Sequence, residues 1–291
     1  MPGQAESVAS SSPLFGASVY PMLWERPLYE AIRAVGTAGF GGVEILATSP
    51  HLSPTHSTVR ARRKVRSALL SEGLRLFAVN APTLDLNLAA VEPLLRQVSV
   101  AYYSAVIDLA ADLEAECVVL SPGRIHPLQA PPLEMVRGLS ADSLGILARR
   151  AEEQGVLISL ENLPYGLFER VDDLRWLLNQ VPSRSLRLTF DVANAFGIEP
   201  PELGLQSAAD RLSLIQVSDT TRARWMHAEI GTGEVDFGAC WADLVSAGVP
   251  VVIEVTQPAG IEPVVRSRQF LLDLDRRNDA PDPGKDSSCV R

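Results

Sequence analysis

Eight times along this chain a short apolar run gives way to a loop and then to a longer amphipathic stretch, at intervals of roughly 25–40 residues. The apolar runs begin near Leu14, Gly42, Leu74, Cys117, Val156, Leu186, Leu212 and Val249. Helical periodicity fills the intervals: Leu28–Ala38, Thr58–Ser71, Leu94–Ala115, Glu134–Gln154, Val171–Gln180, Pro201–Ala209, Ala239–Ser246 and Ile261–Arg276. Several of these stretches stop at a glycine (Gly39, Gly73, Gly155, Gly248), the residue that most readily takes the left-handed conformation at a helix end. Such alternation predicts an α/β fold with a parallel sheet, and eight units favour a single closed (β/α)8 barrel over an open doubly wound sheet. The open alternative also needs a glycine-rich turn after the first strand, where this chain has Val19-Tyr20-Pro21-Met22. With 46% apolar residues among 291, there is enough to fill one large core. The barrel is expected over residues 13–277, with polar, disordered tails at 1–12 and 278–291.

Four of the predicted strands end in a polar side chain. Val156-Leu157-Ile158-Ser159-Leu160 runs into Glu161-Asn162, and the runs at Leu186, Leu212 and Val249 reach Asp191, Gln216 and Glu254. A buried carboxylate without a partner is costly, so a strand should not end this way by default. In a barrel the C-terminal strand ends carry the chemistry, and adjacent strands lie about 5 Å apart, so these four side chains can converge on one ion. An all-oxygen set suits a hard divalent cation, Mn2+ or Mg2+. One such residue would be read as a rim group paired to an arginine; four on successive strands read as a metal site.

The formal charge of -9 argues against nucleic acid as a partner, since that binding rests on neutralised phosphates. No apolar run approaches the roughly 20 residues of a membrane span. The first dozen residues lack the basic start and apolar core of a signal peptide. Cys117, Cys240 and Cys289 are odd in number and far apart, which speaks against a disulfide framework. The expectation is a cytoplasmic protein acting on a small molecule, with neither nucleic-acid nor membrane partners.

Several short motifs carry a resemblance: Gly41-Gly42-Val43-Glu44, Asn80-Ala81-Pro82 with Asn87-Leu88-Ala89, Ser121-Pro122-Gly123, Glu161-Asn162-Leu163-Pro164, Asp191-Val192-Ala193-Asn194, Gln216-Val217-Ser218-Asp219, Gly231-Thr232-Gly233-Glu234 and Ile253-Glu254. Together they resemble the xylose isomerase-like TIM barrels, the sugar isomerase and epimerase superfamily that also contains endonuclease IV. The resemblance extends from Leu14 to about Asp275. It implies a divalent metal on Glu161, Asp191, Gln216 and Glu254. The third position departs from the common histidine and resembles hydroxypyruvate-isomerase-like members in being glutamine. The endonuclease branch needs further histidines where this chain has Asn80, Ser121, Asn194 and Gln216, with Trp225 in place of a metal-binding aspartate. A nuclease is therefore excluded. Relatives often pair, so a homodimer is also expected.

By the same resemblance, Glu161 and Glu254 bind metal and act as the acid/base pair: one removes a proton beside a carbonyl, and the other returns one through an enediolate. The implied reaction is isomerisation or epimerisation of a small hydroxy-ketone or sugar-like substrate. Expulsion of a β-hydroxyl would instead make a dehydratase of a cyclic polyhydroxy ketone such as an inosose or dehydroshikimate. The missing histidines at 194 and 216 also admit an inactive barrel serving as a binding or partner subunit. Arg222 matches a substrate-contacting arginine. His227 precedes Gly231-Thr232-Gly233 and is a candidate donor to a substrate oxygen. Asn194 keeps a hydrogen-bonding group after Asp191, while Leu167 stands where some epimerases carry a substrate-binding glutamate. Glu44, Asn80 and Arg124 are further candidate pocket residues at strand exits. Trp24 is read as a core residue, and Arg60–Arg66 as a solvated helix face.

Overall fold

The structure, a computed structural model, describes residues 13–278. The tails expected at 1–12 and 278–291 fall outside these residues, save for Asn278 at the end of the last helix. Eight parallel strands close into a barrel: β1 (Phe15–Ser18), β2 (Gly42–Leu46), β3 (Arg75–Asn80), β4 (Cys117–Leu120), β5 (Leu157–Glu161), β6 (Leu186–Asp191), β7 (Leu212–Val217) and β10 (Val251–Ile253). Each pairs with its neighbour in sequence order, and β10 closes on β1 through Phe15 with Val251 and Ala17 with Ile253. Strands covered on both faces read as continuous apolar runs, which is why the sequence marks all eight.

The outer layer is α1 (Leu28–Thr37), α2 (Val59–Glu72), α3 (Pro93–Leu113), α4 (Leu133–Gln154), α5 (Val171–Gln180), α7 (Pro201–Ala208), α8 (Phe237–Ser246) and α9 (Glu262–Asn278). Gly73 and Gly155 take φ of 65° and 68° at the ends of α2 and α4, so the glycine stops do the work expected of them. Thr58 and Asp236 cap α2 and α8 by accepting from the N–H groups of Ala61 and Ala239. The basic run on α2 lies on the surface, where Arg62 and Arg66 pair with Asp112 and Glu114.

Inside the barrel, Phe77, Ala78, Cys117, Val119, Leu214 and Val252 form a core separate from the larger one under the helices. Room for the Phe77 ring comes from two glycines: a Cβ on Gly42 or Gly16 would stand 2.4 Å or 2.6 Å from it. Ser159 adds a polar layer, bonded to Thr189 and Ser213. Above it the barrel opens toward the strand ends.

Two elements break the eightfold pattern. A single turn, α6 (Val192–Ala195), follows β6 directly, and an antiparallel hairpin of β8 (Asp219–Thr221) and β9 (Arg224–Ala228) follows β7. Both lie on the side where the barrel strands end. Among the described residues no helix is long and apolar enough to cross a membrane.

Candidate metal centre

Glu161 and Asp191 end adjacent strands, and Asn162 sets their level. Its side-chain amide accepts from the Asp191 N–H at 2.8 Å and donates to the Asp191 carbonyl at 3.0 Å, extending the β5–β6 ladder by one side chain. Asp191 then turns the chain into α6, where its Oδ1 accepts from the Asn194 N–H at 2.7 Å. Asn194 returns a bond from its Nδ2 to Glu161 Oε1 at 2.8 Å. The two carboxylates are thus held by hydrogen bonds from one short stretch of chain.

Gln216, fully buried near the end of β7, donates from Nε2 to Glu44 Oε2 at 2.9 Å. An ionised carboxylate only accepts, so this bond fixes which end of the amide faces Glu44 and turns the Gln216 oxygen away from it. Glu254 follows β10 and receives a bond from Asn80 Nδ2 at 3.3 Å. His227 enters from β9: its Nδ1 lies 2.9 Å from Ser218 Oγ, 3.5 Å from Glu254 Oε2 and 3.8 Å from Asp191 Oδ2.

Four buried carboxyl groups, of Glu44, Glu161, Asp191 and Glu254, share this space. Burial pushes Glu161 and Glu254 well above the usual carboxylate range, and repulsion among Glu44, Asp191 and the two glutamates pushes further. Glu44 is raised to about 7 by burial, against hydrogen bonds from Ser18, Asn80 and Gln216. Asp191 is raised by burial, opposed chiefly by His227. Among the described residues, the buried oxygens Asp191 Oδ2, Gln216 Oε1 and Glu44 Oε1 have no hydrogen-bond partner. Orphaned acceptors amid mutually repelling carboxylates are the environment a cation relieves, so the residues present fit a divalent metal. Asp191, His227 and Glu254 offer ligand atoms that all lie within 4.8 Å of one another.

Of the expected Glu161, Asp191, Gln216 and Glu254, this trio includes Asp191 and Glu254 and adds His227, expected as a substrate contact, while Glu161 lines the pocket with His227 and Glu254. Gln216 supplies an orphaned oxygen in the same cluster. Asn80 lines the pocket with Glu161, His227 and Glu254 in a cavity of about 780 Å³. Glu44 is not among the lining residues; it stands behind Gln216. Arg222 is not brought to the pocket either. Its guanidinium lies 4.8 Å from the Phe196 ring, in a separate cleft with Glu234. Arg124 sits in the turn closed by Asn87 and is likewise absent from the pocket wall. Asn194 bonds to protein groups on every side.

Trp225 went unrecognised as a pocket residue. Its Nε1 donates to Asn194 Oδ1 at 2.8 Å, and its ring meets His227 edge to face at 5.8 Å. The signal was present, because residues two apart on a strand share a face and His227 was already singled out. Trp24 is not core: it is 81% exposed at the pocket mouth.

A (β/α)8 barrel with a buried carboxylate cluster at its C-terminal face belongs to the class whose catalytic groups sit on strand ends. This chain is a member of the xylose isomerase-like TIM barrel family, whose pattern matches residues 32–274. It is 27% identical over 267 residues to the uncharacterized protein MJ1311 of Methanocaldococcus jannaschii, covering 88% of this chain and 87% of that one. In fold it is similar to a D-tagatose 3-epimerase-like protein, with a TM-score of 0.80 and 22% identity over 90% of this chain and 97% of the other. It is also similar to the 3-keto-D-glucoside 4-epimerase of E. coli, with a TM-score of 0.74 and 20% identity over 90% and 99%. At such identities the likeness to solved structures is one of fold.

Proposed function

We propose that this protein is a divalent-metal-dependent isomerase or epimerase of a small hydroxy-ketone or sugar-like substrate, using Glu161 and Glu254 as its acid/base pair. The observation that carries this reading is the placing of both glutamates in the wall of one cavity, flanking a cluster of buried oxygens that lack partners. Asp191, His227 and Glu254 would hold the ion, with the Gln216 oxygen as a further donor. The ion would supply Lewis-acid stabilisation of the negative charge that develops when a proton leaves carbon beside a carbonyl. Mn2+ or Mg2+ suits the oxygen-rich set, and the one imidazole leans toward Mn2+.

The remaining work falls to the chain. Asn194 fixes one oxygen of Glu161, leaving the other to face substrate. Burial, with repulsion from the neighbouring carboxylates, raises both glutamates well above the usual carboxylate range and favours the protonated form of each. With one of the two glutamates ionised and the other protonated, one can stand as base while the other returns a proton, a division that a bound cation would favour. Trp225 and Leu163 wall the pocket and limit water at the reacting carbon.

The test is solvent-deuterium exchange in Mn2+-loaded protein against a panel of ketoses, hydroxypyruvate, inososes and dehydroshikimate. Label should enter carbon next to the carbonyl of one panel member. Glu161→Gln and Glu254→Gln should each slow that exchange by about a hundredfold or more, with circular dichroism unchanged. Wild-type exchange in both variants would refute the assignment. An enone absorbance without exchange into recovered substrate would replace isomerisation with dehydration.

A further inference from the structure

The wall of the cavity over the carboxylate cluster has an uneven composition. Glu25, Asp85, Glu161 and Glu254 all line it, and among the described residues no lysine or arginine does. Of the arginines expected there, Arg222 lies over the Phe196 ring, and Arg124, whose backbone is tied to Asn87, is not among the lining residues. A site built for a phosphate or a carboxylate presents guanidinium or ammonium groups to it. This one would meet such a group with carboxylates, and Glu25 and Asp85 remain even where a cation offsets the deeper ones.

Tyr20, Leu23, Trp24, Leu84 and Trp225 give the cavity an aromatic and apolar share of its lining, and Trp24 is 81% exposed although it borders a cavity. An indole left in water at a pocket mouth is an open surface for the flat face of a ring. The cavity, about 780 Å³, lies in the upper part of the range of about 300–1,000 Å³ that holds drug-sized ligands. That is more than a lone short-chain hydroxy-ketone or a single sugar ring requires.

We infer that the substrate is an uncharged polyhydroxy ketone bearing a second ring, a glycoside-like compound rather than a phosphorylated or carboxylated sugar, with the second ring stacked on Trp24. The inference rests on the reading of this cavity as the substrate pocket. The sugar end lies over Glu161, Glu254 and His227, where hydrogen-bonding groups gather. The second ring lies on Trp24, which is exposed to solvent at the edge of the cavity.

The test titrates Mn2+-loaded full-length protein, by ligand-observed NMR, with two probe pairs: phenyl β-D-glucoside against D-glucose, and D-fructose 6-phosphate against D-fructose. The glucoside should bind at least about tenfold more tightly than glucose, and the phosphate at least about tenfold more weakly than fructose. Trp24→Ala should bring glucoside and glucose to within about threefold of each other, while Trp24→Phe keeps most of the preference. Equal binding of glucoside and glucose, an unaltered preference in Trp24→Ala, or tighter binding of the phosphate would each overturn the inference. Mn2+ affinity, measured on the same preparations, separates this outcome from the earlier one. A protein that binds no Mn2+ yet prefers the glucoside through Trp24 refutes the metal and keeps the ring site.

Discussion

Gln216 puts a neutral amide where a charged or imidazole donor is the more common choice, and Glu44 explains how it can serve. By accepting from Nε2, Glu44 leaves the amide oxygen free of any hydrogen bond among the described residues, and where Glu44 is ionised its charge polarises that amide. Partners behind a metal ligand typically matter about 10–100-fold in affinity. Glu44→Gln removes the charge and lets the Gln216 amide reverse, because a glutamine at 44 can donate as well as accept. We expect Mn2+ affinity by calorimetry to fall about tenfold or more, with the melting temperature of metal-free protein unchanged or raised. Undiminished affinity would remove Glu44 from this role. The strand-end ligand types were legible residue by residue, since each stood as a polar stop after an apolar run. The pairings were not, because Glu44 and Gln216 are 172 residues apart and nothing local in either marks the other. The same holds for Trp225 and Asn194, whose bond joins the hairpin to the turn after β6.

Among the elements, the eight barrel strands were legible because burial on both faces demands unbroken apolar runs. The β8–β9 hairpin was hidden for the converse reason: Asp219–Thr221 is polar and Arg224–Ala228 mixes Arg and His with Trp, Met and Ala, so neither makes an unbroken apolar run. What holds the hairpin is Asp219. Its carboxylate accepts from the N–H groups of Thr220 and Val235 at one oxygen and of Gly231 and Gly233 at the other. The Gly231-Thr232-Gly233 motif thereby acquires a structural meaning: a Cβ on Gly233 would stand 2.3 Å from Asp219 Oδ1. Asp219→Ala strips a buried acceptor from four backbone donors and should cost about 3 kcal/mol or more. Hydrogen exchange should show the loss concentrated in residues 219–235, and because β9 carries His227 and Trp225, Mn2+ affinity should fall with it. Uniform exchange and unaltered stability would contradict this account of the hairpin.

For the whole molecule, the carboxylate cluster sets a pH dependence opposite to that of most acidic proteins. Glu44, Glu161 and Glu254 bind protons more tightly folded than unfolded, where glutamate titrates near about 4.3. The folded metal-free protein therefore holds more protons than the unfolded chain from about that pH upward through about 7 for Glu44, and stability falls as pH rises across the window. Melting temperatures in EDTA should be higher at pH 5.5 than at pH 8. Mn2+ should reverse the order, since an ion held by the ionised cluster would add about 2.7 kcal/mol at a hundred times its dissociation constant. The same slope with and without Mn2+ would separate the cluster from any metal. The most direct measurement is calorimetric titration of metal-free protein with Mn2+, for the wild type and for Asp191→Asn, a change that keeps an oxygen to cap α6 while removing the charge. The account predicts one ion per wild-type chain and binding at least about tenfold weaker in the variant. No binding to the wild type, or equal binding to both, would contradict it.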